Sequence, residues 1–100
     1  MANRLGSVTF IARMTVREGC EQQFLGLMQE LAAHVHANEP GTVGYELYRL
    51  REPGRYAVLE SFADETAAGV HANSAALQRL GPSIADCLVG TWELEYLDTP

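Results

Sequence analysis

Val43-Gly44-Tyr45-Glu46-Leu47-Tyr48-Arg49-Leu50, Arg51-Glu52-Pro53-Gly54-Arg55 and Tyr56-Ala57-Val58-Leu59-Glu60-Ser61-Phe62 form one continuous stretch. Two runs rich in aromatic and aliphatic residues flank a polar segment containing Pro-Gly, the signature of a β-hairpin with a short loop. The first of these strands begins near Thr42. Register within the hairpin decides which side chains share a face, because a slip of one residue turns every side chain over. With Arg51 opposite Arg55, Glu46 faces Glu60, and two close carboxylates would raise one pKa and create an acid–base pair. One residue away, Tyr45 faces Glu60 and Glu46 moves to the other side.

On the N-terminal side, Val8, Phe10, Ala12, Met14 and Val16 alternate with Thr9, Ile11, Arg13 and Thr15, which predicts a strand. Glu18-Gly19 breaks the alternation. Phe24, Leu27, Met28, Leu31 and Val35 then recur at helical spacing, and Asn38-Glu39-Pro40-Gly41 ends that helix. On the C-terminal side, Asp64 is placed to cap a short helix carrying Ala67, Ala68 and His71, and Ser74 to cap another carrying Leu77 and Leu80. Gly81-Pro82 is expected to interrupt this second piece. Val89 to Leu97, with Trp92, Leu94 and Tyr96 on one face, reads as the last strand. The order strand, helix, strand, strand, helix, strand is that of a ferredoxin-like α+β (βαββαβ) domain. Residues 1–100 are expected to form that single domain.

Helices then cover one face of a four-stranded sheet. Apolar side chains occur at both parities, Phe10 against Ile11 and Val58 against Leu59, so the second face also needs cover. A second copy of the chain is the simplest cover, which predicts a homodimer.

Composition narrows the function classes. The 100 residues are 47% hydrophobic and 20% charged with a net charge of −6, an ordinary globular mixture that repels a phosphate backbone, so nucleic acid is not an expected partner. No apolar run reaches the ~20 residues of a membrane span. Cys20 and Cys87 lack metal-site spacing and no secretory signal opens the chain, so reduced thiols and a cytoplasmic location are expected. His34 and His36 diverge around a helix, and no phosphate loop or nucleophile elbow is present, so neither a metal nor a nucleotide is predicted.

Among the chemistry-bearing residues His71 stands out, because Ala67 and Ala68 lie one turn before it and leave room beside the imidazole. It is either a general base facing a ligand or a helix-end histidine bonded to a carbonyl or to water. Glu60 is either one member of a carboxylate pair with Glu46 or the partner of a cation such as Arg13. Tyr45, Phe10 and Trp92 are candidates for an aromatic pocket wall, or for plain core and interface.

Glu39-Pro40-Gly41 before Tyr45-Glu46-Leu47-Tyr48-Arg49, then Val58-Leu59-Glu60-Ser61-Phe62-Ala63-Asp64 and His71, resembles the antibiotic biosynthesis monooxygenase domain over nearly the whole chain. The resemblance implies a dimeric α+β barrel with a pocket between sheet and helices in each subunit. It also implies a monooxygenase that oxidises a quinol or polyphenol with molecular oxygen and no flavin, metal or haem. His71 would be the base, Glu60 or Asn38 would orient the substrate, and Tyr45, Phe62 and Trp92 would line its site. In the branch acting on polycyclic phenols, Asn, Trp and Tyr stand where this chain has Val58, Phe62 and Ala68. The haem-degrading branch differs at Met14, near His71 and near Gly81. A branch that isomerises a phosphorylated sugar-like molecule shares the histidine but often has a second one at Ala76, and gives the alternative activity. A non-catalytic binding or dimerisation module is the third reading.

Overall fold

The computed structural model describes residues 5–100. Strand β1 (Val8–Thr15) leads to helix α1 (Glu21–Asn38), the hairpin β2 (Thr42–Arg49) and β3 (Arg55–Phe62), helices α2 (Glu65–Ala72) and α3 (Ala75–Asp86), and strand β4 (Glu93–Tyr96). The strands form one antiparallel sheet in the order β2-β3-β1-β4. This is the ferredoxin-like α+β topology that the order of elements predicts.

Helix α1 buries Phe24, Met28, Leu31 and Val35, a stripe generated by spacings of three and four residues. The stripe packs with Met14 and Val16 of the β1 segment, Tyr56 and Val58 of β3, and Ala76, Leu80 and Ile84 of α3 in one core on the helix side of the sheet. Caps bound the two later helices: Asp64 Oδ1 accepts from the Ala67 N–H at 2.8 Å and Ser74 Oγ from the Leu77 N–H at 3.1 Å.

Two sequence expectations are corrected, and one open question of register is resolved. Pro82 lies inside α3, which continues to Asp86 without interruption. Gly81 before it has no Cβ to clash with the proline ring, and the Gln78 carbonyl left without its helical donor belongs to an exposed residue within reach of water. The last strand is shorter than Val89 to Leu97: Glu93–Tyr96 form the ladder with β1, and outside it the Val89 and Leu97 N–H groups donate singly to the Thr15 and Thr9 carbonyls. In the hairpin, Tyr45 pairs with Glu60 and Glu46 with Leu59. The Leu50 N–H donates to the Arg55 carbonyl at 2.9 Å, and the loop closes through Gly54 at φ 76°. This register turns Tyr45 and Leu47 toward the helices and leaves Glu46 and Tyr48 exposed. The alternative would bury a second carboxylate beside Glu60, at a high desolvation cost.

Candidate active site

A cavity of about 410 Å³ lies between the sheet and helices α2 and α3. Its walls are largely apolar: Met14 and Val58 from the sheet, Met28 and Leu31 from α1, Leu77 and Ile84 from α3. Trp92, Leu94 and Tyr96 form a side that is open to solvent, with exposures of 38%, 48% and 60%. Tyr45, Glu60 and His71 bring three polar groups together in the lining, to which Glu65, Trp92 and Tyr96 add others.

The sequence brings them together locally as well as across the fold. The Asp64 cap starts α2 three residues after β3 ends, and His71 sits in its last turn. Small residues Ala67, Ala68 and Gly69 let this helix lie close to the turn after α1. A Cβ on Gly41 would come within 2.6 Å of the Ala67 Cβ, and the Ala63 N–H donates to the Gly41 carbonyl at 2.9 Å. That close approach carries Glu39 to His71, where Oε1 lies 3.0 Å from Nδ1. On the opposite ring edge, Nε2 lies 3.4 Å from Glu60 Oε1. The Tyr45 and Phe62 rings flank the imidazole at centroid distances of 5.2 and 5.4 Å.

Glu39, Tyr45, Glu60 and His71 are all buried, none more than 8% exposed. Burial disfavours the charged form of Glu60, and the nearby Glu39 carboxylate repels its charge, so its pKa is pushed up from 4.5 to about 8. At neutral pH this carboxyl holds its proton. Burial and the same two carboxylates push the Tyr45 phenol well above its usual range. The result is a neutral carboxyl, an imidazole and a neutral phenol at one end of an apolar cavity, a set able to exchange a proton with a bound hydroxyl.

The structure brings together five of the six residues singled out from sequence: His71, Glu60, Tyr45, Phe62 and Trp92 all line the cavity. Asn38 does not. It is exposed at the end of α1, where its side-chain amide donates to the His34 carbonyl at 3.1 Å and lies 3.2 Å from the His34 ring. The last helical turn supplies that partner four residues back, which turns the amide away from the cavity. Sequence reading missed Glu39, whose contact spans thirty-two residues. An acidic residue in a tight turn next to Pro-Gly was the only local signal. His71 meets the two carboxylates on opposite ring edges, and among the described residues no group of three His, Cys, Asp or Glu side chains converges to hold a metal.

The sequence profile described as antibiotic biosynthesis monooxygenase matches residues 7–81. Among solved structures, a Caulobacter crescentus protein assigned as an antibiotic biosynthesis monooxygenase is 32% identical, with 97% of this chain and 92% of that chain covered at a TM-score of 0.89. A conserved protein from Methanosarcina mazei Go1 is 23% identical, covering 97% and 95% of the two chains at 0.87. A Mycobacterium tuberculosis protein is 19% identical, covering 93% and 94% at 0.85. These last two share the fold. No curated protein matches the chain.

Proposed function

Because the chain belongs to the antibiotic biosynthesis monooxygenase family, we propose that it oxidises a small quinol or polyphenol with molecular oxygen, His71 taking the proton of the substrate hydroxyl. The observation that carries this reading is the largely apolar cavity with His71 and Glu60 side by side in its lining. A flat aromatic molecule buries its ring against Met14, Val58 and Leu77 and presents its hydroxyl to that end. Deprotonation makes the ring electron-rich, and general-base assistance contributes about 10²–10⁴-fold. The overall change balances with oxygen alone: a phenol gains one oxygen atom at a ring carbon and becomes a quinone, while the second atom leaves as water. Reaction without flavin, haem or metal is part of this proposal. Tyr45, Phe62 and Trp92 serve as substrate walls and Glu60 as the group nearest the hydroxyl.

A phosphorylated sugar-like substrate suits the site less well. Among the described residues that line the cavity none is Arg or Lys, whereas Glu60 and Glu65 are acidic. Arg13, Arg49 and Arg79 are engaged elsewhere, with Glu95, Tyr56 and Glu30. We read residues 1–100 as one such domain, acting as a homodimer. The unpaired thiols Cys20 and Cys87 support a reducing, cytoplasmic setting. No described helix is long and apolar enough to cross a membrane.

Oxygen uptake with a panel of hydroquinones and naphthols, in the presence of chelator, tests the proposal. We expect chelator-insensitive uptake that falls about 10²-fold or more in a His71→Ala variant. Silence across the panel, or uptake unchanged in the variant, would remove it.

A further inference from the structure

Glu39 is a buried carboxylate in contact with His71, and no step above uses it. We propose that Glu39 is a positioning residue that holds His71 in its Nδ1–H tautomer, aims the Nε2 lone pair at Glu60, and balances the imidazolium formed when a proton arrives. The kinetic part of this inference rests on the oxygenase reading. The tautomer does not.

Glu39 Oε1 accepts from Thr42 Oγ1 at 3.2 Å and lies 3.0 Å from His71 Nδ1. An ionised carboxylate only accepts hydrogen bonds, so the Nδ1 it faces must carry the ring proton. Nε2 is then the acceptor, and it faces Glu60 Oε1. The other oxygen of Glu39 is buried without a partner. A buried carboxylate left half-satisfied is costly unless an opposite charge stands beside it, and the imidazole is the group in place to supply one. An imidazolium formed on proton uptake would stand beside this carboxylate as its counter-charge, which is the direction catalysis requires.

The proton inventory closes. The substrate hydroxyl passes its proton to one oxygen of the Glu60 carboxyl while the proton already on Glu60 passes from its other oxygen to His71 Nε2. Phenolate and imidazolium form, Glu60 ends as it began, and Glu39 remains the counter-ion. The groups facing this exchange are Tyr45 from β2, Glu60 from β3, His71 and Glu65 from α2, and Glu39 from the turn after α1.

Long-range ¹H–¹⁵N spectra of the whole protein read the His71 tautomer without any substrate, with single His→Gln variants telling the three histidines apart. We expect wild type to show a protonated Nδ1 and an unprotonated Nε2, and Glu39→Leu, which offers no acceptor, to lose this pattern while near-ultraviolet circular dichroism stays native. A wild-type ring protonated at Nε2, or a pattern unchanged in Glu39→Leu, would overturn the assignment. On any phenol that is turned over, Glu39→Gln should lower kcat about 10²-fold with KM unchanged, and Glu39→Asp, which keeps the charge, should recover part of it. An equal fall in both variants, or a change confined to KM, would reject the counter-ion role. If no phenol is oxidised, the spectra still decide the tautomer, so failure of the two readings is distinguishable.

Discussion

Glu60 couples the charge state of the cavity to the stability of the fold. Its pKa rises from 4.5 to about 8 on folding, through burial first and the Glu39 carboxylate second. Between those values the folded protein binds a proton that the unfolded chain has released, so unfolding becomes easier as pH rises. The stabilisation from the neutral carboxyl is fully present below the lower value and is lost as pH climbs through the upper one. Thermal melts should therefore show stability falling between roughly pH 5 and 8, with a limiting slope of about 1.4 kcal/mol per pH unit from this one group. Glu60→Gln, which is neutral throughout, should flatten that dependence. A slope unaffected by the substitution would place the titration on a group other than Glu60.

The helix-bearing segments set how these side chains meet. Helix α2 is short and rich in small residues, and its first turn rests against the Glu39-Pro40-Gly41 turn. Gly41 is required there by space. A Cβ would stand 2.6 Å from the Ala67 Cβ, closer than van der Waals contact allows, so either α2 or the turn must shift. Gly41→Ala is expected to destabilise the protein by about 1–3 kcal/mol. It should also separate Glu39 from His71, visible as a change in the His71 ring resonances. A variant with unchanged melting temperature and unchanged ring signals would show that the contact is looser than the geometry implies.

The assembled chain still leaves apolar surface uncovered. On the face of the sheet away from the helices, Ile11 pairs with Leu59 and Arg13 with Ala57, and Tyr48 is 53% exposed. Strand β4 adds exposed Leu94 and Tyr96 beside the open side of the cavity. A second copy placed over the sheet would bury the central Ile11–Leu59 pair. Light scattering at micromolar concentration should report a homodimer, and Leu59→Arg, which puts a charge at the centre of that face, should shift it toward monomer. A stable wild-type monomer would dismiss this arrangement.

Periodicity made the elements legible. Alternation along β1, the Phe24-Met28-Leu31-Val35 stripe and the Pro-Gly turn of the hairpin are consequences of backbone geometry that act within a few residues, and they sufficed for the ferredoxin-like topology. His71 was legible as a candidate for the same local reason, the small residues one turn before it. The continuity of α3 through Pro82 was not, since it depends on whether the Gln78 carbonyl reaches water. Hairpin register is not legible locally either, because either pairing satisfies the local pattern. It is the burial of Tyr45 in place of Glu46 against the helices that selects one. Glu39 lay furthest from reach. Its contact with His71 needs the turn after α1 to dock on α2, and a carboxylate gains a raised neighbouring pKa and a partner ring only when the folded chain has removed all of them from water.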